Sequence, residues 1–252
     1  MLFTYPDGQV VRVNCPDREA LLSGVAARMA ANRGFALATL NVDHLEQLAR
    51  DEAFRRAYAA HDLICADGNP IVWLSQIAGQ PVELVPGSEL VHPLAELAAR
   101  HEAPVALIGG SDASVRLAAE RLMAAHPGLE VVMQAVPGFP FDPDASEAAR
   151  LIGQIANSGA QLCLLGLGAP RQERFAIRAR NALPGVGFAS IGAGIDFISG
   201  QQQRAPVFMR KAKMEWLWRM LSNPRRLAAR YGRGFLILPG HVRRAWAQRG
   251  KV

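Results

Sequence analysis

Long apolar runs are missing from this chain: no stretch of about 18 uncharged apolar residues occurs in its 252 residues, so no membrane-spanning helix is expected. The opening Met1-Leu2-Phe3-Thr4-Tyr5-Pro6-Asp7 has no basic region followed by an apolar core, which argues against export. Cysteine is scarce. Cys15, Cys65 and Cys163 lie far apart and form no CxxC pair, which leaves no disulfide framework or cysteine zinc site and fits a reducing cytoplasm. None of the six histidines stands at i, i+4 from another, and neither GxSxG nor GxxxxGK[ST] occurs. Serine-hydrolase and nucleoside-triphosphatase chemistry therefore fall away.

Acidic residues all but vanish after Arg204. From there to Val252 stand thirteen Lys or Arg and one acid, Glu215, whereas the first 203 residues hold fifteen basic and twenty-one acidic residues. The overall +6 thus joins an acidic body to a strongly basic end. Such an end suits an anionic surface, either nucleic acid or the inner leaflet of a membrane, and charge alone does not choose between them. Half the residues are apolar, enough for one large domain with a sizeable core. The expected division is a body over 1–203 and a helical appendage over 204–252.

Short apolar runs at Phe35–Leu40, Leu63–Ala66, Val105–Ile108, Glu130–Val136, Gln161–Leu165 and Gly187–Ile191 read as strands. Between them, Asp43–Ala60, Pro70–Ala78, Ser88–His101, Ser111–Ala125, Asp144–Ser158 and Pro170–Ala182 carry the spacing of helices packed on a sheet. This alternation predicts an α/β, Rossmann-like, mostly parallel sheet with helices on both faces. Pro6-Asp7-Gly8 between alternating flanks predicts a hairpin outside that sheet. Three short helices are expected in the appendage, near Val207–Leu221, Pro224–Arg233 and His241–Gln248.

Ligands of open parallel sheets sit beyond the carboxyl ends of the strands. Asp67, in Cys65-Ala66-Asp67-Gly68-Asn69-Pro70, is the general-base candidate there; starting a turn or capping the next helix is its structural alternative. Gly109 and Gly110 open a helix where bare amides could hold a phosphate. The turn Gly166-Leu167-Gly168-Ala169-Pro170-Arg171-Gln172-Glu173 is a second glycine turn. Arg171 stands where a dinucleotide fingerprint needs its third glycine, which weakens the rival reading of a nicotinamide-type oxidoreductase. Gly192 and Asp196 follow the last strand, placed to hold a ribose or base or simply to pack tightly. Asp142-Pro143-Asp144 has the form of a metal-binding DxD, but Asp144 directly precedes a helix it could cap, and no metal ligand is assigned.

In the appendage, Trp216, Trp218 and Trp246 interleave with Arg219, Arg225, Arg226, Arg230, Arg243 and Arg244, a mixture suited to lipid headgroups. Arg226, Arg230 and Arg233 share one helical face. A nucleic-acid-binding module is the rival reading, although the body carries no RNA- or DNA-binding motif.

Taken in order, these motifs resemble the WecG/TagA/CpsF family of bacterial glycosyltransferases over about Thr39 to Tyr231. The carrying residues are Thr39-Leu40-Asn41, Ala66-Asp67-Gly68, Val85-Pro86-Gly87-Ser88, Gly109-Gly110, the Gly166–Glu173 turn, Asp196-Phe197-Ile198-Ser199-Gly200, Arg204-Ala205-Pro206 and Glu215-Trp216-Leu217-Trp218-Arg219. The resemblance implies an inverting, metal-independent transfer, without cofactor, from a UDP-sugar to an undecaprenyl-diphosphate-linked monosaccharide by a peripheral membrane enzyme. On it, Asp67 is the base; Thr39, Asn41 and Gln172 orient sugar and acceptor. Gly109, Gly110, Gly166, Gly168, Pro170, Arg171, Glu173, Gly192 and Asp196 line the donor. Arg210, Lys211, Arg219, Arg225, Arg226, Arg230 and Arg233 meet the acceptor phosphates or the membrane. Nucleic acid is not an expected partner, and self-association is compatible with the sequence. Leu84 stands where many relatives would carry arginine, and Arg171 where lysine is commoner.

Overall fold

The computed structural model describes residues 1–202 and 224–250. Strands β1 (Leu2–Thr4) and β2 (Val10–Arg12) form the expected hairpin, with Phe3 opposite Val11. Asp7 in its turn pairs with Arg55 at 2.7 Å and so ties the hairpin to the body.

Strands β3 (Phe35–Leu40), β4 (Leu63–Ala66), β5 (Val105–Gly109), β6 (Val131–Ala135), β7 (Leu162–Gly166) and β8 (Gly187–Ser190) build a parallel sheet in the order β4-β3-β8-β7-β5-β6. Every position of β3 and β8 is buried, as befits interior strands covered on both faces, whereas edge strand β6 alternates between half-buried and exposed.

Helices α1 (Arg18–Ala30), α2 (Val42–Arg50), α3 (Glu52–Ala59), α4 (Asn69–Ile77), α5 (Val91–Arg100), α6 (Asp112–Ala125), α7 (Ser146–Ser158), α8 (Arg171–Ala182) and α9 (Gly194–Ser199) surround the sheet. Alternate residues of β3 show how. Phe35 and Leu37 face a core shared with α1, α5 and α6, while Ala38 and Leu40 face α2, α3 and α4, and Ala36 faces α7 and α8.

Three expectations need correction. The helix predicted over Asp43–Ala60 is two, because Asp51 takes an extended backbone and its carboxylate accepts the Phe54 N–H at 2.9 Å, capping α3. Asp144 does not cap α7, whose cap is Ala145; its carboxylate pairs instead with Arg174. The two helices predicted on either side of Pro239 are one, α10 (Pro224–Gln248). Proline removes one backbone hydrogen bond from a helix, and packing against α2 and α4 holds α10 continuous across that gap. The helix expected near Val207–Leu221 lies outside the described residues.

The first strand meets the last turns of α10. The Gln248 amide donates to Leu2 O at 2.7 Å and accepts from Leu2 N at 3.3 Å, His241 packs edge-on against Phe3, and Ala245 joins the core. Burial, with Arg244 adding to it, pushes the His241 imidazole down to about 4.

Candidate active site

The carboxyl ends of the six parallel strands open onto one edge of the sheet. At the end of β3, Asn41 caps α2: its Oδ1 accepts the His44 N–H at 3.0 Å, and its Nδ2 lies 3.4 Å from His44 Nε2. His44 Nδ1 lies in turn 3.2 Å from the buried Tyr58 hydroxyl.

Asp67 follows β4. It is not the N-cap of α4, a position taken by Gly68 at φ +119°. The half-buried carboxylate instead accepts the Thr39 hydroxyl at 3.3 Å and the Gly87 N–H at 3.4 Å. Gly87 is a residue whose role the sequence left unread. A Cβ there would stand 3.0 Å from Thr39 Oγ1 and 3.3 Å from its methyl, so glycine lets the 85–88 loop settle onto the end of β3. The Pro86-Gly87 pair was the available signal. The loop is fixed to β4 by the Val85 N–H, which donates to Ala66 O at 2.7 Å. Leu84 sits beside it, bridged to Ala66 and partly exposed.

Bare backbone floors the other side. A Cβ on Gly109, at φ +113°, would lie 2.5 Å from Gly166 O, and one on Gly166 would lie 3.1 Å from Gly192 O. The turns after β5, β7 and β8 therefore pack main chain against main chain. At the start of α6, Ser111 and Ser114 cap one another reciprocally, so two amides that could have met a phosphate already have partners. Asp196 Oδ1 would be 3.3 Å from a Cβ on Gly110, and burial raises its pKa against the Ser114 hydroxyl, which lowers it. This corner is acidic and suits hydroxyl or N–H donors better than phosphate.

Positive charge enters at the neighbouring turn. Arg171 opens α8 directly after Pro170, stacks on the exposed Phe139 ring at 5.1 Å and reaches back toward Gly168. Gly168, at φ +72°, donates its N–H to Gln172 Oε1 at 3.2 Å, and Gln172 Nε2 donates to Glu173 Oε1 at 2.7 Å. Gln172 is almost wholly buried, and Glu173, expected among the donor contacts, has no accessible surface.

Arg210, Lys211 and Arg219 lie outside the described residues. Arg225, Arg226, Arg230 and Arg233 fall on the backbone of α10, with side chains likewise outside them. Among the described residues, no group of three or more His, Cys, Asp or Glu is gathered to hold a metal ion. Of the DxD pair, Asp142 Oδ1 accepts the Asp144 N–H at 2.9 Å.

Comparison with known proteins bears on this geometry. Over residues 9–251 the chain matches the description "Glycosyl transferase WecG/TagA/CpsF family". It is 26% identical, over 84% of its length and 78% of the relative's, to the N-acetylglucosaminyldiphosphoundecaprenol N-acetyl-beta-D-mannosaminyltransferase of Bacillus spizizenii. A parallel α/β sheet, a strand-end carboxylate beside glycine turns, and a match that spans nearly the whole chain agree: this protein is a glycosyltransferase and belongs to the WecG/TagA/CpsF family.

Proposed function

We propose that the enzyme transfers a hexose or N-acetylhexosamine from a UDP-sugar to the monosaccharide of an undecaprenyl-diphosphate lipid, with inversion, in cell-surface polysaccharide synthesis. The observation that carries this reading is Asp67, whose carboxylate is held by Thr39 and Gly87 at the rim of the glycine turns. The relative's name supplies the acceptor class, a sugar on diphosphoundecaprenol.

Asp67 takes the proton of the acceptor hydroxyl as its oxygen attacks the anomeric carbon, and the bond from that carbon to the diphosphate breaks. UDP leaves carrying the negative charge. Arg171 and the turn at Gly168 meet that charge, aided by arginines of the appendage, while Asp196 receives ribose or base. Asn41 lines the acceptor side. In this reading guanidinium groups and amides, rather than a metal ion, balance the diphosphate, so turnover is expected to persist in EDTA.

The test is a panel of UDP-sugars with polyprenyl-diphosphate-linked N-acetylglucosamine or glucose, following UDP release and lipid product mass. A product with one pair identifies donor and acceptor together. If wild-type protein does not bind UDP at all, the reading fails.

Residues 204–252 are proposed as the part that holds the enzyme to the anionic inner leaflet. Supporting this, α10 exposes Leu236, Val242 and Trp246 beside Arg243, Arg244 and Arg249. Each arginine at such a surface contributes about 1 kcal/mol, so Arg243→Ala with Arg249→Ala is expected to weaken binding to phosphatidylglycerol vesicles by at least about tenfold. Co-sedimentation at low salt checks it, and equal binding to neutral vesicles would exclude an electrostatic anchor.

A further inference from the structure

Glu173 is a carboxylic acid with no accessible surface, placed one residue after Gln172 at the start of α8. Its Oε1 accepts from Gln172 Nε2 at 2.7 Å, and its Oε2 has no hydrogen-bond partner among the described residues. A buried polar atom without a partner costs stability, so an apolar residue would serve packing better here. The acid therefore has to be explained by what it does to its neighbour.

A glutamine side chain can present either its oxygen or its nitrogen to a given partner. The Glu173 oxygen, as acceptor, settles that choice by drawing the Gln172 NH2 inward, which leaves the Gln172 carbonyl directed at the 166–168 turn. There it accepts the Gly168 N–H at 3.2 Å. Gly168 sits at φ +72°, in a turn whose glycines give it little stiffness of its own, and it is tied to α8 twice: its carbonyl accepts the Gln172 backbone N–H at 3.1 Å, and its N–H is held by the Gln172 side chain, the tie that depends on how that amide is turned. On the opposite side, the fully buried Tyr58 feels the Glu173 carboxyl and hydrogen-bonds His44, which packs against Asn41 across the site. Burial holds the Glu173 acid close to neutral pH, at about 7, consistent with a group kept in place at a cost.

We infer that Glu173 is a positioning residue, which acts through the Gln172 amide to hold the Gly166–Gly168 turn in the shape that receives the donor diphosphate. The inference rests on the donor role proposed for that turn. Glu173 touches neither substrate nor the reacting atoms.

The experiment is calorimetric titration of UDP into the full-length protein, as wild type, Glu173→Gln and Glu173→Leu, with circular dichroism and thermal melts to confirm folding. Glu173→Gln keeps an acceptor for Gln172 and is expected to bind UDP within about twofold of wild type. Glu173→Leu strands the Gln172 amide and is expected to weaken UDP by about tenfold. Placed on Gln172→Ala, it is expected to add no further loss. Should Glu173→Leu not fold, Glu173→Asp, which withdraws the carboxyl by one methylene, carries the same expected loss.

Wild-type protein that fails to bind UDP would overturn the donor reading itself. Wild-type binding left unchanged in folded Glu173→Leu or Glu173→Asp would overturn the role of Glu173 and leave the donor reading standing. A loss in Glu173→Gln as large as in Glu173→Leu would overturn it too, because the acceptor is retained there.

Discussion

Asp67→Asn is expected to lower kcat by about a thousandfold, within the range that general bases contribute, and to leave UDP affinity unchanged or slightly tighter. The amide is isosteric, and its oxygen can still accept the Thr39 hydroxyl and the Gly87 N–H that hold the carboxylate at 3.3 and 3.4 Å. The local structure should therefore survive. What the amide cannot do is take the proton of the attacking hydroxyl, and a thousandfold loss corresponds to about 4 kcal/mol of transition-state stabilisation. Removing a negative charge near a diphosphate relieves repulsion, hence the neutral or favourable effect expected on binding. Steady-state UDP release and calorimetric titration together check this. A fall in kcat matched by an equal fall in UDP affinity would make Asp67 a structural carboxylate. Full turnover in the variant would remove it as the base.

Much of this arrangement was legible because strand ends are legible. The apolar runs that became β3, β4, β5, β7 and β8 are short, rich in aliphatic residues and bounded by glycine, proline or polar residues, so their carboxyl ends fell at or beside Asn41, Asp67, Gly109, Gly166 and Gly192. What escaped was decided by tertiary contacts or by side chains with two uses. Helix α1 carries alanine and leucine on every side, and with only Leu21 and Val25 fully buried it shows no clean stripe. The break at Asp51 is a capping signal inside an otherwise helical run. The continuity of α10 past Pro239 depends on the surfaces of α2 and α4, which local sequence does not carry.

In the site, Glu173 was grouped with the donor contacts because it belongs to a glycine-rich motif. Its burial follows from spacing, since Gln172 and Glu173 lie one turn ahead of the buried Phe175 and Ala176 and two turns ahead of the buried Ala179. The pattern was present, but among Arg171, Arg174, Arg178 and Arg180 two more polar residues read as surface. The His44–Tyr58 contact joins separate helices, and no spacing rule would have paired them.

The second large effect concerns stability against pH, where two buried groups work in opposite directions. Burial raises Glu173 from 4.5 to about 7, so the folded protein holds that proton more tightly than the unfolded chain does. Its contribution is complete below pH 4.5 and is lost as pH rises toward 7, at a cost of roughly 3 kcal/mol. Burial lowers His61 from 6.5 to about 4, so the unfolded chain is the one that binds the proton more tightly. Stability from this group is complete above pH 6.5 and drains away as pH falls toward 4, by a similar amount. The two slopes overlap between pH 4.5 and 6.5, and the wild-type profile should be flattened there.

Glu173→Gln removes only the first slope. Its stability relative to wild type is therefore expected to be about 3 kcal/mol more favourable at pH 8 than at pH 4.5, and between pH 6.5 and 4.5 the variant should show the His61 slope that Glu173 offsets in wild type. Urea unfolding of both proteins at the two pH values measures this difference directly, since groups common to both cancel. If the gap between variant and wild type is the same at both values, Glu173 titrates in the fold as it does in the unfolded chain, and the cost ascribed to burying it disappears with its shift.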